Sequence, residues 1–269
     1  MVIFTDLDGT LLDSATYSFE AAREALAELR AHGIPLVVVS SKTRAEIEPI
    51  RLLMQNDHPF IVENGGAVVI PTNYFPFPLT DAVPRGSYHV VELGTPYPLL
   101  RAALKEIQQT LGRALRGYGD MSVEEITART GLSPEDARLS KQRDYDEPFV
   151  MEGPAFPEDR LVAAINARGL RYTKGDRFSH LIGPHDKGRA VQYLIECYRR
   201  RTGHDYEAIH TVGIGNSLND LPLLEVVDQP ILVQHADGSY ETGLELPRLT
   251  LAQGPGPTGW NRAVLSLLQ

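Results

Sequence analysis

Leu36-Val37-Val38-Val39 is an unbroken aliphatic run dominated by valine, with no polar residue to turn towards water. A strand of that kind is buried on both faces, and such strands belong to parallel sheets covered by helices on each side. The run sits inside an alternation of elements. Val2-Ile3-Phe4-Thr5 reads as a short buried strand. Residues 19–32 then have helical periodicity through Ala22, Ala25, Leu26 and Leu29, with Ser18 as a possible N-cap and Gly33 as the stop. A second helix runs from about Thr43 to about Met54, limited or kinked by Pro49. Residues 60–62 and 67–70 read as strands flanking the hairpin-like turn Glu63-Asn64-Gly65-Gly66. Strand, helix, strand, helix, strand in so short a stretch indicates a right-handed parallel α/β sheet. The alternation returns at the C-terminus, with strands expected at 209–214 and 230–233 and helices at 218–226 and 258–268.

Between these halves the texture changes. Residues 71–98 are rich in Pro, Gly and aromatic residues, and the stretch beyond mixes expected helices (99–115, 123–130, 134–142) with strands (149–152, 178–182). The expected fold is therefore α/β: a Rossmann-like parallel-sheet core, residues 1–81 and 185–269, with an inserted α+β domain over 82–184. An insertion between two halves of one sheet is placed to cap its carboxyl edge, where open α/β sheets bind ligands.

Composition narrows the partners. The formal net charge of -9 argues against a nucleic-acid partner, which needs a basic face. The only apolar run near the N-terminus is far too short to span a bilayer or act as a signal peptide. Cys197 is alone, so no internal disulfide forms and a cytoplasmic setting is the default. Its apolar neighbours suit a buried structural thiol.

Four polar clusters fall at strand ends or helix starts. Asp6-Leu7-Asp8-Gly9-Thr10 follows the first strand directly. Two acids one residue apart in extended chain point to opposite sides, so one can face a phosphorus atom while the other reaches a leaving oxygen. Ser40-Ser41-Lys42-Thr43 ends the second strand; its hydroxyls and amides suit a phosphate cradle, and Ser41 or Thr43 equally suits simple N-capping. Lys187, in His185-Asp186-Lys187-Gly188, opens a helix, where the macrodipole disfavours a cation unless an anion lies near. Gly215-Asn216-Ser217-Leu218-Asn219-Asp220 follows the last strand but one of the expected sheet, and Asp220 is the candidate for a further contact to a magnesium ion, a hard cation served by oxygen ligands. Together the clusters supply a nucleophile, a proton donor, a metal site and cations for the equatorial oxygens of a phosphoryl group.

These four clusters resemble the four motifs of the haloacid dehalogenase superfamily of phosphatases, and the inserted segment resembles that superfamily's type IIB cap. Val39 to Thr43, Gly131-Leu132-Ser133, Lys141 to Phe149 and Gly175 to Leu181 extend the resemblance to its mannosyl-3-phosphoglycerate phosphatases. The resemblance implies a phosphatase acting on a small phosphorylated sugar-glycerate. Asp6 would be the nucleophile, forming an aspartyl-phosphate, and Asp8 the general acid and base. Lys187 would act on the phosphoryl group, with Thr10, Ser40, Ser41, Lys42 and Asn219 binding phosphate. Mg2+ would be held by Asp6, Asp8 and Asp220. Many relatives have Gly-Asp where this chain has Gly215-Asn216, which bears on metal affinity. In the cap, Arg143, Lys174 and Arg177 are candidates for anion contacts and Gln142, Glu152 and His180 for sugar hydroxyls, with Glu63, Asn64 and Gly65 contributing from the core. Tyr145, Phe149 and Phe178 are expected in the packing of the cap. Another sugar-phosphate phosphatase, a phosphomutase, or a non-catalytic phosphosugar-binding module are the competing readings. Intact Asp6, Asp8, Lys187 and Asp220 argue against the last.

Overall fold

The computed structural model describes residues 1–175, 177–201 and 209–269. Asp176, within the expected cap motif, lies outside the described residues. In chain order the first half contains β1 (Val2–Thr5), α1 (Arg23–Ala31), β2 (Leu36–Val39), α2 (Arg44–Leu53), β3 (Phe60–Val62), β4 (Ala67–Pro71), β5 (Val83–Arg85) and β6 (Tyr88–Glu92). The inserted part contains α3 (Tyr97–Leu111), β7 (Leu115–Gly117), α4 (Val123–Thr130), α5 (Pro134–Ser140), β8 (Asp146–Met151), α6 (Glu158–Asn166), β9 (Arg171–Lys174) and β10 (Ser179–Ile182). The chain then returns through α7 (Lys187–Arg201), β11 (Thr211–Gly215), α8 (Leu221–Glu225), β12 (Gln229–Gln234), β13 (Thr250–Pro255) and α9 (Gly256–Leu267).

The larger sheet has the order β13-β12-β11-β1-β2-β3-β4-β6-β5. Strands β13 to β3 in that order pair in parallel, and β4, β6 and β5 add antiparallel strands at one edge. The valine run behaves as its composition requires. Leu36 and Val38 enter the core on the side of α1 and α9, with Trp260, while Val37 and Val39 enter the core on the side of α7. The indole N–H of Trp260 donates to Thr5 Oγ1 (3.0 Å), whose hydroxyl donates to the carbonyl of Asp6 (2.9 Å), so the α9 side of the core fixes the end of β1.

One boundary differs from the sequence reading. Val83–Arg85 and Tyr88–Glu92 belong to the core sheet through β4, so the insertion begins after Glu92 rather than at residue 82. Pro- and Gly-rich texture disguised the edge strand β5 and its neighbour β6 as part of the insertion, and β13, interrupted by Gly254, was equally unreadable. The second sheet, β7-β8-β10-β9, is antiparallel. Helices α3 and α6 cover one face with Leu100, Leu104, Ile107, Leu161 and Ile165. Near α4 and α5 a smaller cluster of Tyr118, Met121, Ile126, Leu132 and Ala137 also takes in Tyr17, which comes from the core. Cys197 is buried on α7, and burial pushes its thiol up to about 11. No helix among the described residues is long and apolar enough to cross a membrane.

Candidate active site

The first and last motifs meet because β1 and β11 are neighbours. The N–H of Asp6 donates to the carbonyl of Ile214 (2.9 Å), which carries the parallel pairing one residue past the end of β1. From the opposite side α7 begins at Lys187, and its Nζ lies 2.6 Å from Asp6 Oδ1 and 2.6 Å from Asp220 Oδ1. All three groups are buried. Two glycines permit this convergence. A Cβ on Gly65, which has φ +92°, would stand 2.1 Å from the carbonyl oxygen of Asp186, so the turn after β3 presses against the residue preceding Lys187. A Cβ on Gly215 would stand 2.5 Å from that of Asp220, whose Oδ2 folds back to accept the amides of Asn216 (2.9 Å) and Ser217 (3.1 Å).

Burial, joined by the Asp220 charge, outweighs the attraction of Lys187 and pushes the Asp6 carboxyl up to about 7. Burial alone would make Lys187 easier to deprotonate; the Asp220 and Asp6 carboxylates reverse that and hold it charged. The second motif supplies another cation. Thr43 forms a capping box with Glu46 at the start of α2, and the loop before it brings Lys42 Nζ to 3.0 Å from Asp8 Oδ2 and 3.6 Å from Glu46. The ring of Tyr17 lies 4.9 Å from the same ammonium. The other Asp8 oxygen, Oδ1, is buried without a partner.

That orphaned oxygen and the excess of carboxylate at Asp6 fit a hard divalent cation. No three side chains of metal-ligating type converge as a ready-made cage among the described residues. Asp220 departs from the expected role of direct ligand in one respect: both of its oxygens are taken, one by Lys187 and the other by two backbone amides. Its charge acts on Asp6 directly and through Lys187.

A cleft with about 810 Å³ of free space, part of it open to solvent, lies between this floor and the inserted sheet. Asp6, Asp8, Ser41, Lys42 and Asn219 line it from the core, and Arg143, Arg177, Phe178 and His180 from the insertion. Other expected residues go elsewhere. Thr10 is buried and donates its hydroxyl to Asn216 Oδ1 (3.1 Å), tying the first motif to the last instead of facing the cleft. Ser40 is buried, its Oγ accepting from the Lys42 amide (3.2 Å), and Ser41 takes the place on the wall. Gln142 and Lys174 are exposed away from the cleft. Glu152 lies beyond the end of β8, 4.0 Å from Arg129, in a different groove. Tyr145 is held on the core side, against Gly66 and Gly94, Phe149 is in the cap core, and Phe178 reaches the cleft, stacked edge-on against Tyr118 at 5.1 Å.

Glu63 is not presented to the cleft. It is 1% exposed, and its carboxylate accepts the amides of Asp144 (2.9 Å), Tyr145 (2.8 Å) and Asp146 (2.9 Å). The two arginines of the wall are also engaged. Arg143 donates to the carbonyls of Asp146 (2.7 Å) and Ser41 (2.8 Å), and Arg177 to those of Thr130 (2.6 Å) and Ser14 (2.8 Å) and to the Tyr17 hydroxyl. Ser14, Tyr17 and Ser41 are core residues, so both arginines hold the insertion closed over the core.

The sequence model for haloacid dehalogenase-like hydrolases matches residues 3–76. A glucosyl-3-phosphoglycerate/mannosyl-3-phosphoglycerate phosphatase of Methanococcoides burtonii is 44% identical over 267 residues, 99% of this chain and 97% of that relative. The chain belongs to the glucosyl- and mannosyl-3-phosphoglycerate phosphatase family of the haloacid dehalogenase-like hydrolases. A second member of the family, from Persephonella marina, is 42% identical over 100% of this chain and 97% of its own length. Among solved structures, a subclass IIB sugar phosphatase of the same superfamily shares the fold with a TM-score of 0.65 at 15% identity, covering 99% of this chain and 97% of that one. Family membership thus accords with the α/β core and inserted cap. Tyr17, Glu46 and Asp146 are the site residues that sequence reading passed over. Glu46 had a readable signal in Thr43-Arg44-Ala45-Glu46, a capping-box spacing at a motif; Tyr17 and Asp146 had none.

Proposed function

We propose that the chain is a magnesium-dependent phosphatase that hydrolyses mannosyl-3-phosphoglycerate to mannosylglycerate and phosphate, and accepts the glucosyl analogue. The observation that carries this reading is Lys187 Nζ, 2.6 Å from both Asp6 and Asp220, with Asp6 and Asp8 lining a cleft roofed by the cap. Asp6 attacks phosphorus as the bond to the glycerate oxygen breaks, giving an aspartyl-phosphate. Asp8 protonates that leaving oxygen, then takes a proton from the water that attacks the same phosphorus and frees the Asp6 carboxylate. Lys187 keeps Asp6 oriented, and Lys42, held by Asp8 and Glu46, adds positive charge at the mouth of the site. Asp6 and Asp8 would hold Mg2+, whose chemistry there is charge neutralisation of the phosphoryl oxygens. Closure by Arg143 and Arg177 excludes bulk water from Asp6.

The cap is the part that selects the substrate, and one epimeric hydroxyl between mannose and glucose is a small difference for it to read. The lone buried Cys197 supports a cytoplasmic setting. Phosphate release measured over a panel of phosphosugars and phosphoglycerate glycosides, with and without Mg2+, tests the proposal. Equal rates throughout the panel would remove the substrate assignment, and no release from any member would remove the chemistry.

A further inference from the structure

The turn after β3 holds two adjacent non-glycine residues in the left-handed region, Glu63 (φ 49°) and Asn64 (φ 57°). Such conformations cost energy and persist where the surroundings require them. Here they aim two neighbouring side chains at one cap segment. Glu63 takes the backbone amides of residues 144–146, as described above. Asn64 Nδ2 donates to Asp146 Oδ2 (2.8 Å), while its Oδ1 accepts from Asn219 Nδ2 (3.2 Å). The Asn64 amide N–H donates to the carbonyl of Ser40 (3.0 Å). Asn64 is therefore joined to the second motif, the fourth motif and the cap at once. Beyond it, Asn219 Oδ1 accepts the Ser217 hydroxyl (2.6 Å).

Asp146 completes the path. It is fully buried, and β8 pairs antiparallel with β10 so that Asp146 faces Ile182 and His180 faces Pro148, which sets Asp146 and His180 diagonally on one face. His180 Nδ1 lies 2.9 Å from Asp146 Oδ2. A carboxylate only accepts, so Nδ1 carries the hydrogen and Nε2 is left for the cleft, which His180 lines. Burial would raise the Asp146 carboxyl, but the His180 and Arg143 charges and the Asn64 hydrogen bond hold it below its usual range.

We infer that Asp146 is a positioning residue that couples seating of the cap to assembly of the phosphoryl site, through the chain His180–Asp146–Asn64–Asn219. With the cap unseated, Asn64 loses its acceptor, and Asn219 is no longer fixed beside Asp220. A substrate large enough to bring the cap down on His180 therefore completes the site for its own hydrolysis, while a small phosphate ester draws little benefit. Specificity for a bulky leaving group then arises from assembly as well as from contact. This inference rests on the proposed phosphoglycerate-glycoside substrate.

The test is kcat/KM for mannosyl-3-phosphoglycerate relative to p-nitrophenyl phosphate, with thermal unfolding recorded for each variant. Asp146→Asn removes the charge facing Arg143 (3.2 Å) and sets an amide NH2 either where Oδ1 meets His180 Nδ1 (3.0 Å) or where Oδ2 meets Asn64 Nδ2 (2.8 Å), so one contact becomes donor against donor. The ratio should fall about 10–100-fold, with glycoside turnover losing more than aryl phosphate turnover. Asn64→Gly, which accepts the left-handed backbone, should lower the same ratio. The exchange Asn64→Asp with Asp146→Asn re-pairs the donors and acceptors of the chain, though it moves the carboxylate away from Arg143, 3.2 Å from Asp146 Oδ2, and should recover most of the lost ratio. The exchange also stands as the test should Asp146→Asn alone fail to fold. Equal losses on both substrates, or a folded exchange variant that recovers no preference, overturn the coupling and leave the substrate assignment intact. A wild-type enzyme with no preference for the glycoside refutes the substrate assignment and the coupling together, because no cap-dependent rate is then left to explain.

Discussion

Replacing Glu63 with Gln changes one buried oxygen to a nitrogen and removes a proton equilibrium from the cap's seat. Glu63 Oε2 accepts the amides of Tyr145 and Asp146, and Oε1 that of Asp144 (2.9 Å). Despite these bonds and Arg143 at 3.8 Å, burial dominates and pushes the carboxyl from 4.5 to about 7. The folded protein therefore keeps a proton on Glu63 over a range in which the unfolded chain has released it, and raising the pH through that range costs stability. At about 1.4 kcal/mol per pH unit, the gap between 4.5 and about 7 is worth about 3 kcal/mol. The amide of the Glu63→Gln variant does not titrate. The stability of wild type minus that of Glu63→Gln should thus shrink by about 3 kcal/mol between pH 4.5 and pH 7.5, whatever its value at the acid end. Urea unfolding of both proteins at four or five pH values measures it, since titrations elsewhere in the chain cancel in the difference. A difference that stays constant within about 1 kcal/mol would refute the reasoning. One that grows with pH would show that the three amides and Arg143 outweigh burial.

Asp6→Asn should leave a folded protein with turnover below detection in the phosphate-release assay, because no other carboxylate lies against Lys187 in a position to attack. Asp220→Asn should lower kcat by about 100-fold or more while changing the Mg2+ concentration dependence by less than about threefold, since Asp220 acts on Asp6 directly and through Lys187; a loss expressed mainly as weaker Mg2+ binding would return it to the role of direct ligand. With Mg2+ limiting, activity should fall as pH drops through about 7, where Asp6 becomes protonated, and saturating Mg2+ should move that limb to lower pH; rate profiles at two Mg2+ concentrations decide it. Tyr17→Ala removes the ring over Lys42 and the hydroxyl that meets Arg177, and should raise KM for the glycoside more than it changes kcat for p-nitrophenyl phosphate.

The core was legible because its signals are local and strong. A valine run buried on both faces has one common home, and acids placed directly after an apolar strand fall where such sheets put their ligands. Val123–Thr130 was readable for the same reason, since Ser122 and Glu125 form a capping box and Gly131 ends the helix with φ +75°. The insertion was less legible because its short strands β7 and β9 carry Gly, Arg and Lys in three or four residues, too little for an alternation to appear.

The site residues divide along a different line. Asp6, Asp8, Lys42 and Lys187 were identifiable because their chemistry and their place in the chain agree. Arg143, Arg177 and Glu63 have the chemistry of substrate contacts, yet the structure spends their hydrogen bonds mainly on backbone groups, each with at least one partner across the cap–core boundary. Composition cannot separate these uses: a guanidinium suits a carboxylate of the substrate and a pair of carbonyls equally well, and only the fold shows which acceptors are within reach. Asp146 shows the converse. Nothing in its sequence surroundings distinguishes it from Asp144, two residues earlier, which is exposed and presents only its backbone to Glu63. The strand period of two places both on the same side in principle, but β8 begins at Asp146, and pairing with β10 is what turns its carboxylate towards His180 and Asn64. A residue whose role consists of joining two domains acquires that role only when both are in place.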